Sequence, residues 1–166
     1  MIHETELRKG WCPGARRPMQ ARDGLLMRLR ICGGVVSALT LRGLAQAGRA
    51  HGNGLFDLSA RANLQIRGVC SESLPFLIKT LDGLGLIDNN AAAEAVRNVL
   101  VSPLAGLDGR IDAPRAAKAL EVALAANKDL HGLPGKFGFL IDDGSALARS
   151  LSAKRSLAPA VRAAQG

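Results

Sequence analysis

Four cationic side chains stand beside predicted turns or strand ends, where they are able to meet a common anion. They are Arg61, Arg67, Arg97 and Lys136. The planar guanidinium of arginine gives two parallel hydrogen bonds to a carboxylate or oxyanion, whereas the ammonium of lysine acts as a point charge. The sequence therefore indicates an anion site, with ordinary solvated surface charge as the alternative for each residue taken singly.

The histidines and cysteines form no catalytic or metal-binding pattern. His51 and His131 each precede a glycine at a predicted helix end, where an imidazole caps backbone carbonyls. Cys12, Cys32 and Cys70 are widely spaced and odd in number, which favours neither a disulfide framework nor a cysteine metal site. We therefore predict no metal ligands and assign no catalytic residue.

The elements that position the cations follow from hydrophobic patterning. Strands and helices alternate as a strand over 24–31, a helix over 40–50, strands over 55–58 and 63–67, and a helix over 71–86. This β-α-β-β-α order predicts an α+β fold that resembles a ferredoxin-like half-domain. In the first strand we expect Arg28 and Arg30 on one face, because alternate residues of a strand point the same way.

The second half begins at a soft boundary. Residues 88–94 are polar and rich in alanine, and we interpret them as a connector. A short strand then stops at Pro103, Asp112 caps a helix that continues to Asp129, and a buried strand is predicted over 137–142.

Composition narrows the function classes. The 166 residues are 48% hydrophobic but only 3% aromatic, without tyrosine, so base stacking on single-stranded nucleic acid is disfavoured. The net charge is +8, and the stretch from Arg149 to Gly166 contains four cations and no acid. No apolar run is long enough to span a bilayer, and the charged start does not fit a signal peptide. We expect a cytoplasmic protein that binds neither nucleic acid nor membrane.

Several segments resemble the opening of the precorrin-3B synthase branch of the nitrite/sulfite reductase superfamily. They are residues 9–19, which read KGWCPGARRPM, residues 24–30 and residues 51–68, which read HGNGLFDLSARANLQIRG. The Arg97-Asn-Val sequence and the Leu-Pro-Gly-Lys-Phe sequence ending at Phe137 resemble the start of the adjoining domain. The resemblance implies a ferredoxin-like half-domain over 9–87, the beginning of a second 4Fe-4S/sirohaem-type domain over 88–144, and a basic, disordered tail over 145–166.

The resemblance also assigns site residues. Arg61, Arg97 and Lys136 match the cations that line the tetrapyrrole and anion face in the superfamily, and Gln65 and Asn98 match their neighbours. A structural role for either amide remains an equal alternative. The implied substrate is the tetrapyrrole precorrin-3A.

The implied chemistry is an oxygen-dependent hydroxylation of precorrin-3A with lactone formation, in a complete enzyme that carries a 4Fe-4S cluster. Non-haem iron or a sirohaem-like tetrapyrrole is the further implied cofactor. The four-cysteine set that holds the cluster does not occur in this sequence. The chain is therefore expected to be an N-terminal fragment or split subunit, inactive alone, that pairs with a missing C-terminal half or with itself.

Two alternatives stay open. One is a fragment of an assimilatory nitrite or sulfite reductase, which Gly138 disfavours because sulfite reductases carry a second lysine at that place. The other is a non-catalytic module that binds a tetrapyrrole or a polyanion, which the missing cysteines and the basic tail favour.

Overall fold

The fold is α+β, as predicted. The computed structural model describes residues 12–88, 90–105, 111–142 and 161–162. Trp11 and nearly all of the predicted tail over 145–166 lie outside the described residues. The domain limits at 87 and 144 stay a prediction.

An antiparallel sheet and two helices form the first part of the chain. The strands are β1 (Met19–Ala21), β2 (Gly24–Leu29), β3 (Phe56–Leu58) and β4 (Leu64–Val69), and the helices are α1 (Ala38–His51) and α2 (Leu74–Gly83). The strand order is β1-β2-β4-β3. Ser37 begins α1, since its hydroxyl accepts a hydrogen bond from the backbone N–H of Thr40 at 3.0 Å.

The two faces of this sheet have opposite characters. Met27 and Leu29 pair with Ile66 and Leu64 across β2 and β4, and their side chains pack in a core that includes Leu44. On β2, Arg28 alternates with these apolar residues, and Arg30 follows the strand in the same alternation. One face therefore packs against helices, and the other is polar.

A parallel sheet and two helices form the second part. These elements are α3 (Ala91–Val96), β5 (Val99–Val101), α4 (Ala113–Ala126), β6 (Phe139–Asp142) and β7 (Val161–Arg162). The strand order is β5-β6-β7. Short 3-10 turns at Cys32–Gly34 and Lys128–Gly132 complete the described elements. A second apolar cluster, which includes Val96, Ala117 and Leu124, packs between these helices and strands.

The structure corrects the predicted connector over 88–94. Helix α3 begins inside it, because the side chain of Asn90 accepts a hydrogen bond from the Ala93 N–H at 2.7 Å and alanine favours the helix. The structure also adds β1, which the predicted β-α-β-β-α order lacked.

Helix ends differ by a few residues from the predicted ones. Helix α2 begins at Leu74 rather than at residue 71, with proline in its first turn. Asp112 caps α4 as predicted, by accepting from the Arg115 N–H at 3.0 Å, but α4 ends at Ala126. Within the part of the chain that the structure describes, no helix is both long and apolar enough to cross a membrane.

Candidate functional site

A buried ion pair joins the polar face of the first sheet to α3. Arg30 Nη1 donates to Glu94 Oε1 at 3.1 Å, and both side chains are about 5% exposed. The same carboxylate oxygen accepts from the Ala15 N–H at 2.7 Å. Burial lowers the pKa of Arg30, and the negative charge of Glu94 opposes that effect. The pair therefore holds the 12–15 segment, β2 and α3 together.

Arg97 forms a second pair of ionic contacts beside the first. Its Nη2 donates to Asp88 Oδ2 at 2.7 Å, and its Nη1 donates to Glu121 Oε2 at 2.8 Å. Burial alone would lower the pKa of Arg97. Its hydrogen bonds and ionic contacts with both carboxylates have the larger, opposite effect, so the pKa is raised overall. We call the five charged residues the seam cluster: Arg30, Asp88, Glu94, Arg97 and Glu121.

Asn98 connects the seam cluster to two turns. Its Oδ1 accepts from Arg30 Nε and from Asn63 Nδ2, each at 3.4 Å. Its Nδ2 donates to the carbonyl oxygens of Gly135 and Phe137, at 3.3 and 3.0 Å. The Asn98 side chain thus lies where the polar face of the first sheet meets the second part of the chain.

Arg61 lies on the turn that leads into β4. The turn is held by the Ala62 N–H donating to the Ser59 carbonyl and by the Asn63 N–H donating to Ser59 Oγ. Ala62 has a positive φ of 55°, which places Arg61 at a sharp reversal of the chain. The arginine is half-buried and lines a small cleft of about 30 Å³ together with Arg30, Arg97 and Asn98.

Lys136 lies on the loop before β6. The Phe137 N–H donates to the Pro134 carbonyl at 2.7 Å and closes a tight turn, from which the lysine projects as an exposed residue. The carbonyls that Asn98 binds belong to the residues on either side of Lys136. Neither Arg61 nor Lys136 forms an ion pair with a described residue, and we call these two the rim cations.

The other predicted residues are placed differently. Gln65 is opposite Arg28 in the sheet, and in the amide orientation that satisfies both, its oxygen accepts from Arg28 Nη2 at 2.7 Å. Arg67 turns away, since its guanidinium binds Asp23 at 2.8 Å. The structure therefore brings Arg61, Arg97 and Asn98 together at one cleft. Lys136 does not line that cleft, but the residues on either side of it are hydrogen-bonded to Asn98. Gln65 and Arg67 do not line that cleft.

A larger cleft of about 370 Å³ also has Arg30 and Arg97 in its lining. It lies between the start of α1, the end of α2 and one face of α4, and Cys32 lines it beside Glu121. Burial and a hydrogen bond to Glu121 raise the pKa of the Cys32 thiol to about 11. This thiol is therefore a poor nucleophile near neutral pH.

The described residues do not fit an iron-sulfur cluster. Across the described ranges, no group of three or more histidine, cysteine or acidic side chains is placed to hold a metal ion. Cys12, Cys32 and Cys70 are all free thiols. A [4Fe-4S] cluster needs four thiolates, so no ligand set for one is present in the described part.

The sequence patterns did not indicate Glu94 or Asn63, although Glu94 binds Arg30 and Asn63 binds Asn98. Glu94 lies in the stretch whose composition predicts a connector, and Asn63 is the first residue of a predicted strand. The available signal is the alternation over 24–31, which predicts Arg30 on the polar face of a strand, where an arginine that becomes buried calls for an acidic partner.

The comparisons with known proteins agree with this architecture. The family model described as nitrite/sulfite reductase ferredoxin-like half domain matches residues 17–84. Residues 17–84 belong to that half-domain family. The first sheet with α1 and α2 is therefore the half domain, and the resemblance predicted from the sequence is confirmed at this level.

The similarity to known proteins extends beyond the half domain. A precorrin-3B synthase of Sinorhizobium sp is 36% identical over 84% of this chain and 30% of the relative. A ferredoxin–nitrite reductase of Synechococcus elongatus is 33% identical over 72% of this chain and 25% of the relative. The structure of the NirA protein of Mycobacterium tuberculosis superposes with a TM-score of 0.60 at 33% identity, over 70% of this chain and 22% of that one. The chain thus spans less than a third of the length of each of these three proteins.

Proposed function

We propose that this chain supplies the half domain and the anion-binding rim of a precorrin-3B synthase-type oxidoreductase. In that role it holds the carboxylates of precorrin-3A while oxygen-dependent hydroxylation and lactone formation take place in the assembled enzyme. The chemistry of a tetrapyrrole polycarboxylate calls for fixed cations with free donors. The rim cations stand on hydrogen-bonded turns and have no acidic partner among the described residues.

One observation carries the proposal. The alignment with a precorrin-3B synthase covers 84% of the chain, so it must contain the middle of the sequence, including Arg61, Arg97 and Lys136. Gly138 supports the same branch, because a sulfite reductase is expected to have a second lysine there.

The division between paired and unpaired cations supports a role for the rim. Arg97 is 11% exposed and its charge is already balanced by two carboxylates, so an anionic ligand gains less from it than from a cation without an acidic partner. Arg61 and Lys136 have no such competitor among the described residues. We therefore propose these two as the direct carboxylate ligands, with Arg97 held in its ion pairs and lining the cleft beside Arg61.

The size of the cleft limits how the substrate lies. A volume of about 30 Å³ holds little more than a water-sized group. The tetrapyrrole ring would lie across the opening, with its carboxylates reaching the rim cations, rather than entering the cleft.

The iron-sulfur chemistry would come from a partner. The described residues lack a cluster ligand set, so the cluster that supplies redox chemistry in the assembled enzyme would be bound elsewhere. Among the described strands, β3 is at an edge of the first sheet. Leu58 ends this strand and Leu55 precedes it, and they are 80% and 63% exposed. An open edge with exposed leucines favours association with a partner or with a second copy.

The test is turnover of precorrin-3A under air by this chain together with a cluster-bearing polypeptide encoded beside it. The expected product carries one added oxygen atom and a lactone, detected by mass spectrometry. The Arg61→Ala and Lys136→Ala variants should each lose activity at least tenfold. Lys79→Ala removes an exposed lysine on α2 and serves as the matched control. No turnover by the pair, with an intact cluster in the partner, would refute the proposal.

A nitrite or sulfite reductase component is the second candidate. The identity to a ferredoxin–nitrite reductase and the superposition on NirA favour it. The same pair, supplied with a chemical reductant and nitrite or sulfite, separates the two. Anion reduction without precorrin-3A turnover would establish the second candidate.

A further inference from the structure

We propose that Asn98 is a positioning residue that sets the relative placement of the rim cations, and not itself a substrate ligand. The identity of the ligand rests on the proposed function. The positioning role itself rests on the hydrogen bonds of Asn98. Asn98 would act as a bridge that holds the Arg61 turn and the Lys136 loop together. The sequence resemblance, in contrast, implied that Asn98 is a residue of the binding face.

The amide of Asn98 has no capacity left for a ligand. An asparagine side chain offers two N–H donors and an oxygen with two lone pairs. Both donors are used by the Gly135 and Phe137 carbonyls, and the oxygen accepts from Arg30 and Asn63. The residue is only 6% exposed. A substrate carboxylate would have to displace one of these buried partners.

One half of the bridge fixes Lys136. The two carbonyls that Asn98 binds flank this lysine, and the Phe139 N–H also donates to the Asn98 backbone carbonyl at 2.8 Å. Three hydrogen bonds between Asn98 and the 135–139 segment, two donated and one accepted by Asn98, therefore hold the backbone on both sides of Lys136.

The other half of the bridge fixes the turn of Arg61. Asn63 is 5% exposed and closes that turn through its backbone, while its side chain donates to Asn98 Oδ1. Arg30 Nε shares the same oxygen and is anchored by Glu94. The two turns are thus held by one side chain, so that a change at Asn98 alters their separation.

Asn98→Asp tests the half that holds Lys136. The carboxylate keeps an acceptor for Arg30 and Asn63, but it has no N–H to donate to the Gly135 and Phe137 carbonyls. We expect amide hydrogen exchange at Phe137 to rise at least tenfold, while exchange at Ala62 and in β2 and β4 stays within twofold. Asn90→Asp is the matched control, because the cap of α3 needs only an acceptor. Unchanged exchange at Phe137 would overturn the bridge.

A double-mutant cycle tests whether the bridge acts on binding through Lys136. Asn98→Ala is used here because it adds no charge, and uroporphyrin, a polycarboxylated porphyrin, is the probe. We expect Asn98→Ala to weaken binding about tenfold in the wild-type background and less than twofold in a Lys136→Ala background. An equal loss in both backgrounds would show that Asn98 acts independently of Lys136 and would refute the positioning role.

The exchange experiment and the binding experiment together separate failure of this inference from failure of the proposed function. If wild-type protein does not bind uroporphyrin at all, the proposed ligand is contradicted, and the exchange experiment still decides whether Asn98 fixes the loop. Retained protection in β2 and β4 shows that each variant is folded, so a loss confined to the loop is not global unfolding.

Discussion

The seam cluster and the rim cations meet near one small cleft, which Arg30, Arg61 and Arg97 all line, yet their surroundings differ. Arg30 and Arg97 are buried and bound to carboxylates, whereas Arg61 and Lys136 are on turns and have no acidic partner among the described residues. A buried charge must be paired to be tolerated, and a charge on a turn remains hydrated. The comparison separates cations that hold the two sheets together from cations that remain available for an anion.

The largest expected effect is on stability, at the centre of the seam. Arg30→Met leaves the buried Glu94 carboxylate without its counterion, and we expect the free energy of unfolding to fall by about 3–5 kcal/mol. Urea denaturation measures this change. The double variant Arg30→Met with Glu94→Leu should recover part of the loss, because no uncompensated charge remains. A loss below about 0.5 kcal/mol in the single variant would place Arg30 with ordinary surface cations.

A smaller loss is expected where the 12–15 segment contacts the seam. A Cβ atom at Gly14 would be 2.6 Å from Glu94 Oε2, and that carboxylate cannot swing aside without releasing Arg30. Gly14→Ala should therefore cost about 1–3 kcal/mol in the free energy of unfolding. Gly83→Ala is the matched control, since a Cβ there has no neighbour within 4 Å. Equal effects at the two glycines would contradict the close contact.

The rim variants should leave stability almost unchanged. Arg61→Ala and Lys136→Ala remove no ion pair with a described residue, so each should alter the free energy of unfolding by less than about 0.5 kcal/mol. Arg97→Ala, in contrast, leaves two carboxylates without their counterion. Urea denaturation gives the free energy of unfolding of all three variants for comparison. A loss at Arg61 as large as that at Arg97 would show that the rim and the seam are not distinct.

Thiol reactivity reports on the seam without altering it. Burial and the hydrogen bond to Glu121 raise the pKa of Cys32 to about 11, so at pH 8 only about 0.1% of it is thiolate. Cys32 should react with iodoacetamide more slowly than the exposed Cys70, and equally fast once the chain is unfolded in urea. The raised pKa contributes stability below the unfolded value of 9.0, and this contribution is lost as the pH rises through about 11. Faster labelling of Cys32 than of Cys70 in the folded protein would contradict its burial beside Glu121.

Local sequence patterns predicted most of the fold. The alternation in 24–31 placed Arg28 and Arg30 on the polar face, and Asp112 was recognised as a helix cap. The prediction of a connector over 88–94 is wrong because polar and alanine residues are compatible with either a connector or a short helix, and the side-chain cap of Asn90 favours the helix.

The site was only partly predictable. The sequence indicated cations beside turns, but it could not separate Arg97 from Arg61, because the difference depends on contacts between distant parts of the chain. Arg30 and Glu94 are 64 residues apart in sequence, and Asn63 and Asn98 are 35 apart. Periodicity and capping rules describe neighbours within a few residues, so they do not reveal such pairs.

The most direct test of the account is equilibrium binding of uroporphyrin to the chain, followed by its absorption spectrum and repeated at two salt concentrations. The Arg61→Ala/Lys136→Ala double variant is compared with Arg42→Ala/Lys79→Ala, which removes the same charge from exposed helix positions. We predict saturable binding that the rim double variant weakens at least fiftyfold and the helix double variant weakens less than threefold, with unfolding free energies unchanged in both. Equal weakening by the two double variants would show that net charge alone attracts the porphyrin and would contradict a site built on the rim cations.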